Sequence, residues 1–130
     1  MTTKILWIDD EMDSLKSQIM FLENKGYTVE CLSNGYDGLE YLKSNPVDVI
    51  LLDESMPGMT GLETLSQIKE FHASIPVVMV TKNEAENIME EAIGSQITDY
   101  LIKPVNPNQI LHTLKKIIDS KSLVSEKTTQ

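Results

Sequence analysis

Cysteine is nearly absent: Cys31 is the only one, so no intrachain disulfide can form. Positive charge is scarce as well, with 11 basic residues against 20 acidic ones and a formal net charge of -9. That balance argues against nucleic acid as a direct partner, because phosphate binding needs a basic face. It argues equally against an anionic membrane surface. No apolar stretch approaches the roughly 20 residues needed to span a bilayer. The N-terminus, MTTKILWIDDE, turns acidic too soon for a signal peptide. These absences together point to the cytoplasm. Internal repeats and low-complexity tracts are also missing.

What is present is a regular alternation. The 130 residues, 41% of them apolar, suffice for one domain with a sizeable core. Ile5-Leu6-Trp7-Ile8 reads as a strand, and Leu15, Ile19 and Leu22 share one face of a helix over 12–24, with Gly26 as its stop. Strand 28–32 and helix 36–43 follow, then strand 47–52. Thr60 with Glu63 reads as a capping box opening a helix to about Phe71. Strand 76–80 precedes a helix with Asn83 and Glu86 at its start and Ala85, Ile88, Met89 and Ala92 on its inner face. Strand 98–102 leads to a last helix opened by Asn106-Pro107, with Ile110, Leu114, Ile117 and Ile118 as its stripe. The central strands are continuous apolar runs, which marks a parallel sheet covered on both faces. The expectation is an α/β fold, a doubly wound three-layer sandwich over residues 1–120. Residues 121–130 are polar and lose the periodicity, which reads as a tail or the start of a linker.

In such sheets ligands bind beyond the carboxyl ends of the strands. There the chain places Asp9 and Asp10, then Asp53, Thr81, and Lys103 followed by Pro104. Carboxylates gathered this closely repel one another, so a positive charge must hold them ionised. An oxygen-rich set of this kind suits a hard divalent cation, and Mg²⁺ is the abundant choice. No base accompanies a serine or cysteine, so acyl transfer is not indicated. A carboxylate can, however, attack phosphorus and form an acyl phosphate, with the metal and Lys103 neutralising the oxygens.

The segments ILWIDDE, VILLDESMPGMTGLE, VVMVT and DYLIKP resemble, in order and spacing over about residues 3–120, the motifs of the receiver domain of two-component response regulators. The resemblance implies a flavodoxin-like sheet in the order 2-1-3-4-5 with five helices, and Asp53 as phosphoacceptor. It implies Asp10 as the direct Mg²⁺ ligand, Asp9 as the acid acting through metal-bound water, and the Ser55 carbonyl completing the metal site. Thr81 matches the switch hydroxyl and Lys103 the phosphate-pairing lysine. Lys103-Pro104 matches a peptide bond usually cis, and Tyr100 the aromatic that changes rotamer on activation. The implied partners are a sensor histidine kinase, a C-terminal effector domain, and a second copy through the fourth helix, fifth strand and fifth helix. More narrowly, ILWIDDE and LLDESMPGMTGLETLSQIK resemble the N-terminal receiver of PorX-type regulators, linked to type IX secretion in Bacteroidetes. Two positions depart from the family pattern. Lys82 stands where a small residue is usual, and can crowd or attract a phosphodonor. Thr60 stands where many relatives carry an acid.

Plainer readings compete. A lone acid after a strand is commonly a solvated turn or a helix cap, and only convergence at one sheet edge argues otherwise for Asp9 and Asp53. Met56 and Met59 read as loop filling, His72 and His112 as surface residues, and Cys31 as core. Two other functions are open. A Mg²⁺-dependent phosphohydrolase with an aspartyl intermediate would want an acid where Ser55 stands. A receiver-like module that is never phosphorylated would have lost a site residue.

Overall fold

The computed structural model describes residues 2–82 and 85–128, with side chains through residue 120. Strands β1 (Lys4–Ile8), β2 (Thr28–Leu32), β3 (Val49–Leu52), β4 (Val77–Thr81) and β5 (Asp99–Ile102) alternate with helices α1 (Lys16–Asn24), α2 (Gly35–Leu42), α3 (Gly61–Phe71), α4 (Glu86–Gly94) and α5 (Pro107–Thr128). All pairings are parallel and the order is β2-β1-β3-β4-β5. The doubly wound sandwich read from the sequence is the fold.

Continuous apolar strands are required because both faces of the sheet are covered. Ile5, Trp7, Val49, Leu51, Val78 and Val80 pack with Leu15, Leu22, Ile110, Leu114 and Ile117 of the α1 and α5 side. Leu6, Ile8, Ile50, Leu52, Val77 and Met79 alternate with them and pack with Leu42, Leu65, Ile68 and Ala92 of α2, α3 and α4. Each fully buried aliphatic side chain contributes about 1.5–3 kcal/mol.

Helix ends follow local chemistry. Gly26, with φ +96°, closes α1: its N–H bonds Glu23 O at 3.0 Å while Tyr27 N–H reaches Leu22 O at 3.2 Å. The α3 capping box is present in both directions, each bond 3.1 Å. Asn106 Oδ1 accepts from Asn108 N–H at 2.8 Å, behind Pro107 at the first helical position.

Three local expectations are corrected. The segment after β1 opens as a 3-10 turn, Met12–Leu15, before α1 begins. Helix α2 starts a residue earlier than expected, because Asn34 Oδ1 accepts from Asp37 N–H at 2.9 Å and caps it. Asn83 lies outside the described residues, and the residue at the N-cap of α4 is Ala85, which is exposed and not part of an inner face. The backbone of α5 is helical to Thr128. Residues 121–128 contain no glycine or proline to break it.

Candidate functional site

The carboxyl edge of the sheet is extended one residue by backbone hydrogen bonds. Asp9 N–H donates to Leu32 O (2.9 Å), Asp53 N–H to Ile8 O (3.0 Å) and Lys103 N–H to Thr81 O (2.8 Å). Residues just past the strand ends are therefore held as firmly as strand residues, and their side chains converge. Carboxylate oxygens of Asp9, Asp10 and Asp53 all lie within 4.8 Å of one another. Asp9 and Asp53 are buried, at 0% and 4% exposure, whereas Asp10 faces solvent. Lys103 Nζ sits 2.6 Å from Asp9 Oδ2 and 3.9 Å from Asp53 Oδ1. Asp9 Oδ1 also accepts from Glu11 N–H at 2.8 Å, which orients it.

The electrostatics leave a deficit of positive charge. Burial pushes the Asp53 carboxyl above the usual range, and the Asp9 charge adds to that. Lys103, the Thr81 hydroxyl and the Glu54 backbone N–H oppose the rise without cancelling it. One lysine is shared by two buried carboxylates, so the site has the charge and the all-oxygen donor set for a hard divalent cation. Mg²⁺ fits that chemistry.

The other expected positions are placed as follows. Thr81 ends β4, fully buried, beside Asp53. Ser55 is exposed, two residues beyond Asp53. Lys103-Pro104 is a cis peptide. Tyr100 is half-buried and packs on the α3 and α4 side of the sheet; burial, Glu54 and Asp53 raise its hydroxyl pKa. Met56 and Met59 are buried loop fillers and His112 is exposed, as read; His72 and Cys31 are half-buried. Burial lifts the Cys31 thiol to about 11, as expected of an unreactive packed cysteine.

Two features escaped the sequence reading. Glu54 is buried, its carboxylate accepting from Leu62 N–H at 2.8 Å while its carbonyl accepts from Gly61 N–H at 2.8 Å. A Cβ at Gly61 would collide with the Asp53 carbonyl and the Glu54 Cα, so only glycine lets α3 start so close to the acceptor strand. Next to an acid, Glu54 reads as another solvated turn residue, and nothing in the sequence marks it otherwise. Second, Lys82 forms an ion pair with Glu11, Nζ to Oε1 3.2 Å, across two loops.

Comparison with known proteins agrees with this geometry. The profile of the response regulator receiver domain matches residues 5–115. The transcriptional regulatory protein ZraR of Klebsiella oxytoca is 33% identical over 126 residues, 97% of this chain and 28% of ZraR. ResD of Bacillus subtilis, also a transcriptional regulatory protein, is 32% identical over 123 residues, 95% of this chain and 51% of ResD. The chain thus spans about half or less of these relatives' length. Among solved structures, a CheY-like receiver domain protein from Methanospirillum hungatei superposes with a TM-score of 0.90 at 27% identity, covering 94% of this chain and 98% of that one. The chain belongs to the response regulator receiver domain family.

Proposed function

From that membership we propose that the chain is a phosphorylation-controlled switch whose acceptor is Asp53. The observation that carries the reading is the convergence of Asp9, Asp10 and Asp53 within 4.8 Å beside Lys103. An Asp53 oxygen attacks the phosphorus of a phosphohistidine on a partner sensor kinase. The P–N bond breaks, and its electron pair leaves with the imidazole. Asp10, Asp53 and the Ser55 carbonyl would hold Mg²⁺ directly, and Asp9 through water. When bound, the cation neutralises the phosphoryl oxygens as charge builds on them. Lys103, already 3.9 Å from Asp53, supplies a second positive charge to the same oxygens.

The aspartyl phosphate adds up to two negative charges and three acceptor oxygens. Thr81 follows it to donate its hydroxyl, and Tyr100 turns into the space Thr81 leaves. The face of α4, β5 and α5 then presents a different surface to a second copy or to an effector domain. Ligation of the site shifts populations only by the contacts that differ between the two states. Lys103 gives up part of its hold on Asp9 in this shift, which is one such difference. The proposed setting is the cytoplasm, with residues 121–130 leading to the effector. The likeness to PorX-type regulators bears on that output alone.

Intact mass after incubation with acetyl phosphate tests the reading. A single phosphoryl adduct is expected in Mg²⁺, absent in EDTA and absent in Asp53→Ala. If neither acetyl phosphate nor beryllofluoride with Mg²⁺ alters the wild-type protein, the interaction-module reading takes its place.

A further inference from the structure

Four large apolar side chains are exposed among the described residues. Met20 and Ile93 stand apart on α1 and α4, but Tyr36 and Phe71 border one groove. It runs between α2 and α3, with a volume of about 720 Å³. Leu39 and the buried Met59 extend its apolar wall. That wall is held in place: the Tyr36 ring lies against Gly58, and Gln67 Nε2 donates to Met59 Sδ at 3.9 Å. Single apolar residues on a surface are ordinary, whereas a contiguous patch marks a binding site. The same two helices carry four exposed carboxylates, Asp37, Glu40, Glu63 and Glu70. Two ammonium groups accompany them, and both are engaged. Lys43 pairs with Glu40 at 3.1 Å, and Lys69 Nζ donates to Ile75 O at 3.1 Å. The groove is thus apolar inside and acidic around. A second copy of this chain would bring the same acids, and nucleic acid or an anionic lipid surface would be repelled.

We infer that this groove docks a basic amphipathic helix of a partner protein, its apolar side chains seated between Tyr36 and Phe71 and its cations over the flanking carboxylates. The inference does not rest on the phosphoacceptor reading, and the groove shares no element with the α4, β5 and α5 face. The eleven residues of α3 span roughly 16 Å, which matches about three turns of a docked helix. Such a helix presents its apolar anchors at three- and four-residue spacing to a groove of this shape. Burial of the two rings drives the association, and their faces also attract lysine or arginine. The carboxylates speed encounter with a basic helix and select against an acidic one.

The probe is a synthetic helix of about 15 residues with leucine on one face and lysine on the other. Its controls are the same helix with glutamate for lysine, and the same composition scrambled so that no apolar face forms. Fluorescence anisotropy gives the affinity, and amide chemical shifts map the site. Saturable binding of the basic helix is expected, with shifts confined to α2, α3 and residues 58–60. Phe71→Ala and Tyr36→Ala should each weaken it at least about fivefold. Both side chains are largely exposed, so these variants keep the fold, which urea titration checks. Ile93→Ala and Asp53→Ala should bind as the wild type does. Glu40→Gln with Glu70→Gln should weaken binding about two- to fivefold at low salt and less at high salt. The inference falls if no helix binds saturably, if the glutamate or scrambled helix binds as well, or if the shifts map to another face. It falls equally if Ile93→Ala weakens binding as much as Phe71→Ala. A concentration-dependent dimer in sedimentation that Phe71→Ala abolishes would assign the groove to a second copy and overturn it too.

Discussion

The middle of the sheet and its β5 edge are built to different standards. Every residue of β3 is buried, and β1 is buried from Ile5 to Ile8; Asp53 and Asp9 follow directly from these strands. At the other edge only Leu101 of β5 is buried. The adjoining α4 buries Ala92 alone, begins at an alanine with no side-chain cap, and leaves Ile93 63% exposed. The rigid part holds the carboxylates, whose chemistry needs fixed geometry. The weakly held part carries Tyr100 and borders Thr81, and in the proposed switch it is there that a change of contacts would be read out at low cost. The proposed switch would use both, and on that reading low packing beside a site belongs to the function.

The contrast can be broken most forcefully in the core. Leu51→Ala should lower unfolding stability by about 2–5 kcal/mol in urea titration, whereas Ile93→Ala should stay within about 0.5 kcal/mol. Similar losses at the two sites would mean that the β5 side is as well packed as β3. Next comes the junction of strand and helix. Gly61→Ala forces the backbone away from Asp53 and should cost about 1–3 kcal/mol while slowing adduct formation. An unaltered acceptor rate would show that the Asp53 position tolerates movement at the start of α3. Third, Ala85→Asp supplies α4 with the cap it lacks. A gain of about 0.5–1 kcal/mol is expected, with smaller exchange differences in α4 between resting and beryllofluoride-treated protein. No gain in stability would mean that the start of α4 is already satisfied.

The smallest effect is a pH dependence at the α3 cap. The backbone N–H and hydroxyl of Thr60 hold the Glu63 carboxyl below its usual range. A depressed folded-state pKa gives stability that is present above the unfolded value near 4.3 and is lost as pH falls through the folded one. Glu63→Gln should flatten that part of the acid limb, and an unchanged limb would show that the cap does not depend on the charge.

Much of this was legible in the sequence because strands buried on both faces leave an unmistakable run of apolar residues, and an acid at the end of such a run stands out. Asp9 and Asp53 stand at such ends and Thr81 and Lys103 at the ends of β4 and β5, the structure brings the four together, and the Thr60/Glu63 box opens α3 as read. The rest depends on contacts between distant residues. Glu54 is buried because Gly61 and Leu62 fold back onto it, seven and eight positions later. Lys82 and Glu11 are 71 positions apart and meet only through the order of the sheet. Asn83 has the chemistry of a cap but lies outside the described residues, and Ala85 stands at the N-cap of α4.

Hydrogen exchange with and without beryllofluoride and Mg²⁺, on wild type and Asp53→Ala, tests the central claim most directly. The account predicts that wild-type amides of α4 and β5 change protection, that β1 and β3 do not, and that Asp53→Ala shows neither change. Differences spread evenly over the sheet, no difference in wild type, or the same differences in Asp53→Ala would contradict it.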